Sequence, residues 1–331
     1  MKKLAQLLLG AIALGGAAPA PSYHTLSYPA PSYPAPSYPY WAYAVPTPEN
    51  EAVAPRDDGT VFTLPGSEGH FTRGQISGAG HSAPADWYPG DHPPMPRLVA
   101  MGDAARNISA CAGCHYPNGK GRPQNAGIAG LNRYYLARQL REMKSGLRKS
   151  AEPKKHNAQQ MVDFAKAMTD AEIVQAADYY ASLPHTVAIK VIESETVPKM
   201  RSQEGMWLPA GVPEPIGNRV IETPANVDRE QLRDPHAGFI AYVPLGAVAK
   251  GRRLATALGC AACHGESLHG AGRIAPALAG RSPSYLARQL YDFQQGTRHG
   301  AMATPMRSVT AKLSASDIVN LTAYAASLPA R

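Results

Sequence analysis

Two copies of one pentapeptide pattern, Cys111-Ala112-Gly113-Cys114-His115 and Cys260-Ala261-Ala262-Cys263-His264, hold all four cysteines of this 331-residue chain. No other feature restricts its fold so tightly. C-x-x-C-H is the attachment pattern of c-type haem, in which two thiols form thioethers to the porphyrin and the next histidine ligates iron. Cysteines three apart on a helical turn face one side of the chain, so both reach one porphyrin edge while the histidine swings under the metal. The competing reading is a redox-active or zinc-binding C-x-x-C pair with an incidental histidine. Two copies with no cysteine left over favour haem. The chain is therefore read as carrying two covalently bound haem c groups, on Cys111, Cys114 and His115 and on Cys260, Cys263 and His264.

The repetition extends beyond the motifs. Tyr135-Leu136-Ala137-Arg138-Gln139-Leu140 recurs as Tyr285-Leu286-Ala287-Arg288-Gln289-Leu290, an offset of 150 against 149 between the motifs. Tyr179 and Ala181-Ser182-Leu183-Pro184 recur at Tyr324 and Ala326-Ser327-Leu328-Pro329, now offset by 145. The chain is a duplicated module, and five extra residues fall in the basic loop of the first copy, between Gly146 and Met161. With that correction Met161 aligns with Met306. A thioether is a soft, neutral donor, and its recurrence at one place in both copies is what axial ligation of iron predicts. Packing in two cores is the alternative. We expect His115 with Met161 at one metal and His264 with Met306 at the other, Met168 and Met302 standing in reserve and Met143 packing within a helix.

Three helices are legible in each copy. Asn132 and Ser282 align as N-caps, Pro283 suits a first turn, and Leu136, Leu140 and Met143 or Leu286, Leu290 and Phe293 recur at helical spacing. Thr169-x-x-Glu172 and Ser314-x-x-Asp317 resemble capping boxes opening a last helix. These residues resemble the periplasmic dihaem class I cytochromes c, particularly the cytochrome c-four-like group, over both modules and little else. The match rests on His264, Gly270, Gly272, Pro276, Leu278, Gly280 and Met306 in the second half and on Gly119, Gly121, Ile128, Gly130 and Met161 in the first. It implies a mainly α fold of two class I cytochrome c domains and single-electron transfer between redox partners, without stand-alone catalysis. Ala126 stands where the second copy has Pro276. In this family the carbonyl of that proline accepts a hydrogen bond from the ligating histidine, so the departure implies haems of unequal potential. A dihaem peroxidase-like enzyme with one open iron, and the cytochrome subunit of a dehydrogenase complex, are the alternative functions.

The remaining sequence frames the modules, assigned to residues 100–184 and 245–331. Residues 1–20, with Met1-Lys2-Lys3 before an apolar run from Leu4 to Ala18, read as an export signal to the periplasm. An uncleaved anchor facing the periplasm is the alternative, although a spanning helix needs roughly 20 apolar residues. Residues 21–99 form a Pro/Gly/Tyr-rich extension. Its opening repeats, Ala30-Pro31-Ser32-Tyr33-Pro34 and Ala35-Pro36-Ser37-Tyr38-Pro39, read as a disordered tail or an extended spacer. Residues 41–99 are expected to wrap onto the first module.

The connector, 185–244, contains strand-like Val187–Ile192 and Arg219–Glu222, which predict a short β-hairpin. Charge divides along the same lines: the modules carry +5 and +7, the extension and connector −2 each. Basic modules predict redox protein partners with acidic docking surfaces. Nucleic acid is not expected as a partner of an exported chain lacking any such motif. Lys144, Arg148, Lys149, Lys154 and Lys155 are the densest basic cluster and read as a solvated loop.

Overall fold

The computed structural model describes residues 38–48, 50–273 and 275–330; the export segment and nearly all of the Pro-Ser-Tyr repeats lie outside them. The extension contributes α1 (Tyr40–Tyr43), the two-stranded ribbon β1 (Val61–Phe62) and β2 (Phe71–Thr72), and α2 (Arg73–Ser77). Thr72 and Gln75 close a capping box at the start of α2. Leu64, Ile76 and Trp87 form a small core of their own. This later part touches the first module, where His81 Nδ1 lies 3.0 Å from Ser109 Oγ, and equally the connector, where Trp87 Nε1 donates to the Leu232 carbonyl at 2.8 Å; α1 packs elsewhere. Its Ala42 carbonyl accepts from Arg288 Nη1 at 2.5 Å, which ties the start of the extension to the second module.

The first module runs through α3 (Arg97–Met101), α4 (Cys111–His115), α5 (Arg133–Lys144), α6 (His156–Ala167) and α7 (Asp170–Ser182). The sequence-read helix starts are real ones: Asn132 accepts the Tyr134 N–H at 2.9 Å, and Thr169 with Glu172 completes a capping box. Tyr135 and Leu136 of α5 then meet Ile173, Ala177 and Tyr180 of α7 in one buried core. That packing, more than helix propensity, holds the module together.

In the connector lie β3 (Ile189–Glu193), β4 (Thr196–Gln203), β5 (Met206–Pro215), β6 (Ile221–Pro224), α8 (Val227–Gln231) and β7 (Phe239–Val243). The two strand-like runs do become strands, but they are not each other's partners. β7 inserts between them, parallel to β3 and antiparallel to β6. Its alternating burial from Phe239 to Val243 turns one face of this central strand to the core. The hairpin is instead β4–β5, closed by Glu204 and Gly205, whose φ values of 50° and 79° suit a two-residue turn.

The second module contains α9 (Ala247–Ala257), α10 (Cys260–His264), α11 (Pro283–Gln294), α12 (Thr304–Thr310) and α13 (Ala315–Ser327). Here too Ser282 caps α11 and Ser314 with Asp317 boxes α13. A side chain at Gly251 would stand 1.9 Å from the Asn320 carbonyl, so glycine is what lets α9 lie close on α13. The modules meet reciprocally: Lys149 N–H donates to the Thr297 carbonyl, and His299 N–H to the Leu147 carbonyl, each at 2.9 Å. Residue 149 thus meets the counterpart of 147, residue 147 meets that of 149, and Arg148 lies opposite its own counterpart Arg298, as a twofold-like contact requires.

Candidate functional site

Each C-x-x-C-H turn opens onto a largely apolar cavity. Helix α4 brings Cys111, Cys114 and His115 to a cavity also lined by Leu136, Leu140, Met161, Phe164 and Met168. Helix α10 brings Cys260, Cys263 and His264 to a second, lined by Leu286, Phe293, Met302, Met306 and Leu313. With their solvent-open mouths the two enclose about 1500 and 1640 Å³ of atom-free space. Their walls are mainly apolar, which suits a large apolar group.

The histidines are prepared identically. His115 Nδ1 lies 2.8 Å from the Ala126 carbonyl, and His264 Nδ1 lies 2.9 Å from that of Pro276. A carbonyl only accepts, so Nδ1 carries the proton and Nε2 keeps the lone pair that a metal needs. Burial lowers both imidazole pKa values and favours the neutral, ligating form. Alanine in place of proline therefore leaves this hydrogen bond intact. A glycine makes it possible: at Gly121, φ +68°, a side chain would come within 2.4 Å of the Ala126 oxygen. Gly121 N–H donates to the His115 carbonyl and Gly270 N–H to that of His264, which makes these two glycines equivalent. The Gly-x-Gly runs are thus out of step by two residues, and the counterpart of Gly119 is Leu268, held at φ 58°.

The thiols do not fit a redox dithiol. Reactive cysteines have lowered pKa values, whereas burial pushes Cys111 up to about 12 and also raises Cys260. No three His, Cys, Asp or Glu side chains among the described residues form a metal-holding cluster.

A polar wall separates the cavities. Leu131, Tyr135, Gln139, Tyr285 and Gln289 line both of them. Arg148 donates to Gln139 at 2.9 Å, to Gln289 at 2.8 Å and to the Tyr285 hydroxyl at 3.1 Å. Arg298, its counterpart, donates to Gln289 at 3.0 Å and to Gln139 at 2.7 Å. Both guanidinium groups are buried, and among the described residues neither donates to a carboxylate. Lys155 is 6% exposed, lines the first cavity, and its Nζ has no hydrogen-bond partner among the described residues. The basic cluster is therefore not simply a solvated loop: two of its members point inward. One buried carboxylate, Asp292, lines the first cavity and favours the charged Arg148; set against several buried basic groups it leaves walls that fit a macrocycle bringing carboxylates of its own, as haem does with its propionates.

One participant went unseen in the sequence. Glu230 of α8 is fully buried and accepts from Arg122 Nε at 2.5 Å and from the Tyr116 hydroxyl at 3.0 Å, bolting the connector beside the first motif. Nothing local marks it out in an acidic connector.

The cytochrome c family profile matches residues 99–184 and 248–329, and the chain belongs to that family. It is 27% identical over 233 residues to cytochrome c4 of Azotobacter vinelandii, covering 68% of this chain and 89% of the relative. It is 27% identical over 214 residues to a thiosulfate dehydrogenase electron acceptor of Thiomonas intermedia (strain K12), covering 63% and 74%. Among solved structures, the thiosulfate dehydrogenase (TsdBA) of Marichromatium purpuratum is 31% identical with a TM-score of 0.46, over 70% of this chain and 39% of that one. Within the family this is a cytochrome c4-like protein with two covalently bound haem c groups, an electron carrier between redox partners and not a catalyst.

Proposed function

We propose that Cys111 and Cys114 hold one haem and Cys260 and Cys263 the other, with iron ligated by His115 and Met161 in the first module and by His264 and Met306 in the second. The observation that carries this is the repeated geometry: in each cavity a histidine with its Nδ1 engaged shares the walls with a methionine at the duplicated position. The reserve residues are less apt. Met168 is packed into the core with Ile173, and Met302 is 45% exposed.

Bound haem supplies an iron that gains and loses one electron, and neutral sulfur ligation favours the reduced state. The protein's part is to place the two sites on either side of the Tyr135, Gln139, Tyr285 and Gln289 wall and to exclude water from both. A single layer of shared side chains between the sites supports electron exchange within the molecule.

The protein works in the periplasm on this reading, exchanging electrons with redox proteins that present acidic surfaces to its basic modules. Among the described residues no helix is long and apolar enough to cross a membrane. The relative named as a thiosulfate dehydrogenase electron acceptor supports a dehydrogenase as donor. Ligation is tested by the oxidised holoprotein's weak far-red sulfur-to-iron absorption. Met161→Ala and Met306→Ala should each remove half of it, and its persistence after either change would show the wrong ligand was chosen.

A further inference from the structure

The two attachment turns share a pattern and have opposite surroundings. In the first, Ala110, Ala112 and Gly113 are buried. The extension lays Pro84 over the turn, its ring carbons 3.8 Å from where a side chain on Gly113 would begin. The connector adds Arg233, whose Nη1 donates to the Gly113 carbonyl at 2.5 Å and to that of Ser77 at 3.3 Å. Trp87 Nε1 donates to the Leu232 carbonyl at 2.8 Å and clasps the two covers together. In the second module Gly259, Ala261, Ala262 and Cys263 are all exposed, and a side chain at Gly259 would meet nothing within 4 Å.

Electron transfer slows steeply with distance, so a protein partner must reach an uncovered edge. We propose that this carrier has one port, the exposed turn Gly259–Cys263 of the second module, and that it receives a redox protein with an acidic face. The first module's electrons then pass through the second. Charge points to the partner: the second module exposes Lys250, Arg252, Arg253, Arg273, Arg307 and Lys312 against the exposed carboxylate Glu266. The covers over the first turn belong instead to the two acidic segments, at −2 each. A face of opposite charge is steered to the basic module, more strongly at low salt. This inference rests on the carrier function proposed above and adds where, and to what, the carrier docks.

The test uses the reduced holoprotein, both haems attached, oxidised in stopped flow by anionic hexacyanoferrate(III) or by cationic tris(phenanthroline)cobalt(III). Ala262→Trp, a bulky group on an exposed turn, should slow the whole haem signal several-fold with both oxidants. If half the signal keeps its original rate, the first module has its own port and the proposal is overturned. Arg252→Glu with Arg253→Glu should slow the anion about tenfold and speed the cation. Insensitivity to that charge reversal overturns the acidic partner, whatever the tryptophan variant does. Haems in the unaltered protein that fail to reoxidise with either reagent would instead sink the carrier reading itself.

Discussion

One buried ion pair helps fasten the connector to the first module, and its removal is a sensitive probe of the architecture. Glu230 is 0% exposed and Arg122 7% exposed, with the carboxylate 2.5 Å from Nε and also accepting from Tyr116. Desolvating both charges offsets most of their attraction, so the intact pair adds little net stability. Breaking it is another matter. Glu230→Ala leaves the Arg122 guanidinium buried without counter-charge, a loss of about 3–5 kcal/mol. At about 2–4 °C per kcal/mol for large domains, the melting temperature should fall by about 10 °C. Replacing both ions, as Glu230→Met with Arg122→Met, removes the orphaned charge and should cost less than Glu230→Ala alone. Thermal unfolding of the holoproteins by far-ultraviolet circular dichroism reads both. A fall of only about 1 °C for Glu230→Ala, or a double variant as unstable as the sum of its parts, would refute the reasoning.

Other consequences are as open to measurement. Burial pushes the Lys155 amine pKa well down, and a haem propionate beside it would hold its proton on; Lys155→Met should then move one haem wave to lower potential by spectroelectrochemistry and leave the other, and movement of both or neither would contradict the placement. Arg106 hydrogen bonds, with help from Thr169, hold the Glu172 carboxyl down to about 2, below its ordinary 4.5. Since the folded value is the lower one, the stabilisation is present above pH 4.5 and is lost as pH falls through 2. Glu172→Gln should therefore cost about 1 kcal/mol near neutral pH, the pair being partly exposed, and the gap to the unaltered protein should close in acid.

What could be read from the sequence was whatever leaves a local trace. Covalent attachment leaves C-x-x-C-H, and duplication turns a single ambiguous methionine into the aligned pair Met161 and Met306. Helix starts such as Asn132 and Thr169 are legible because caps act within three residues. Pairings between distant segments leave no such trace. β3 and β6 looked like hairpin partners until β7, some fifty residues beyond β3 in the chain, came between them. Charge misleads for a related reason: Lys and Arg ordinarily mean solvent, and only the tertiary structure turns Arg148 and Lys155 inward. Ala126 left the histidine's contact open in the sequence, because an alanine carbonyl can serve as well as a proline's, and the hydrogen bond to His115 does use that carbonyl.

Whether each of the two modules holds a haem and exchanges one electron is decided by an anaerobic redox titration of the full holoprotein, with haem counted separately by pyridine haemochrome. Two haems per chain are expected, with two one-electron waves and a reduced form that binds no added carbon monoxide because methionine closes both irons. One haem per chain, or a reduced iron that takes up carbon monoxide, would contradict this.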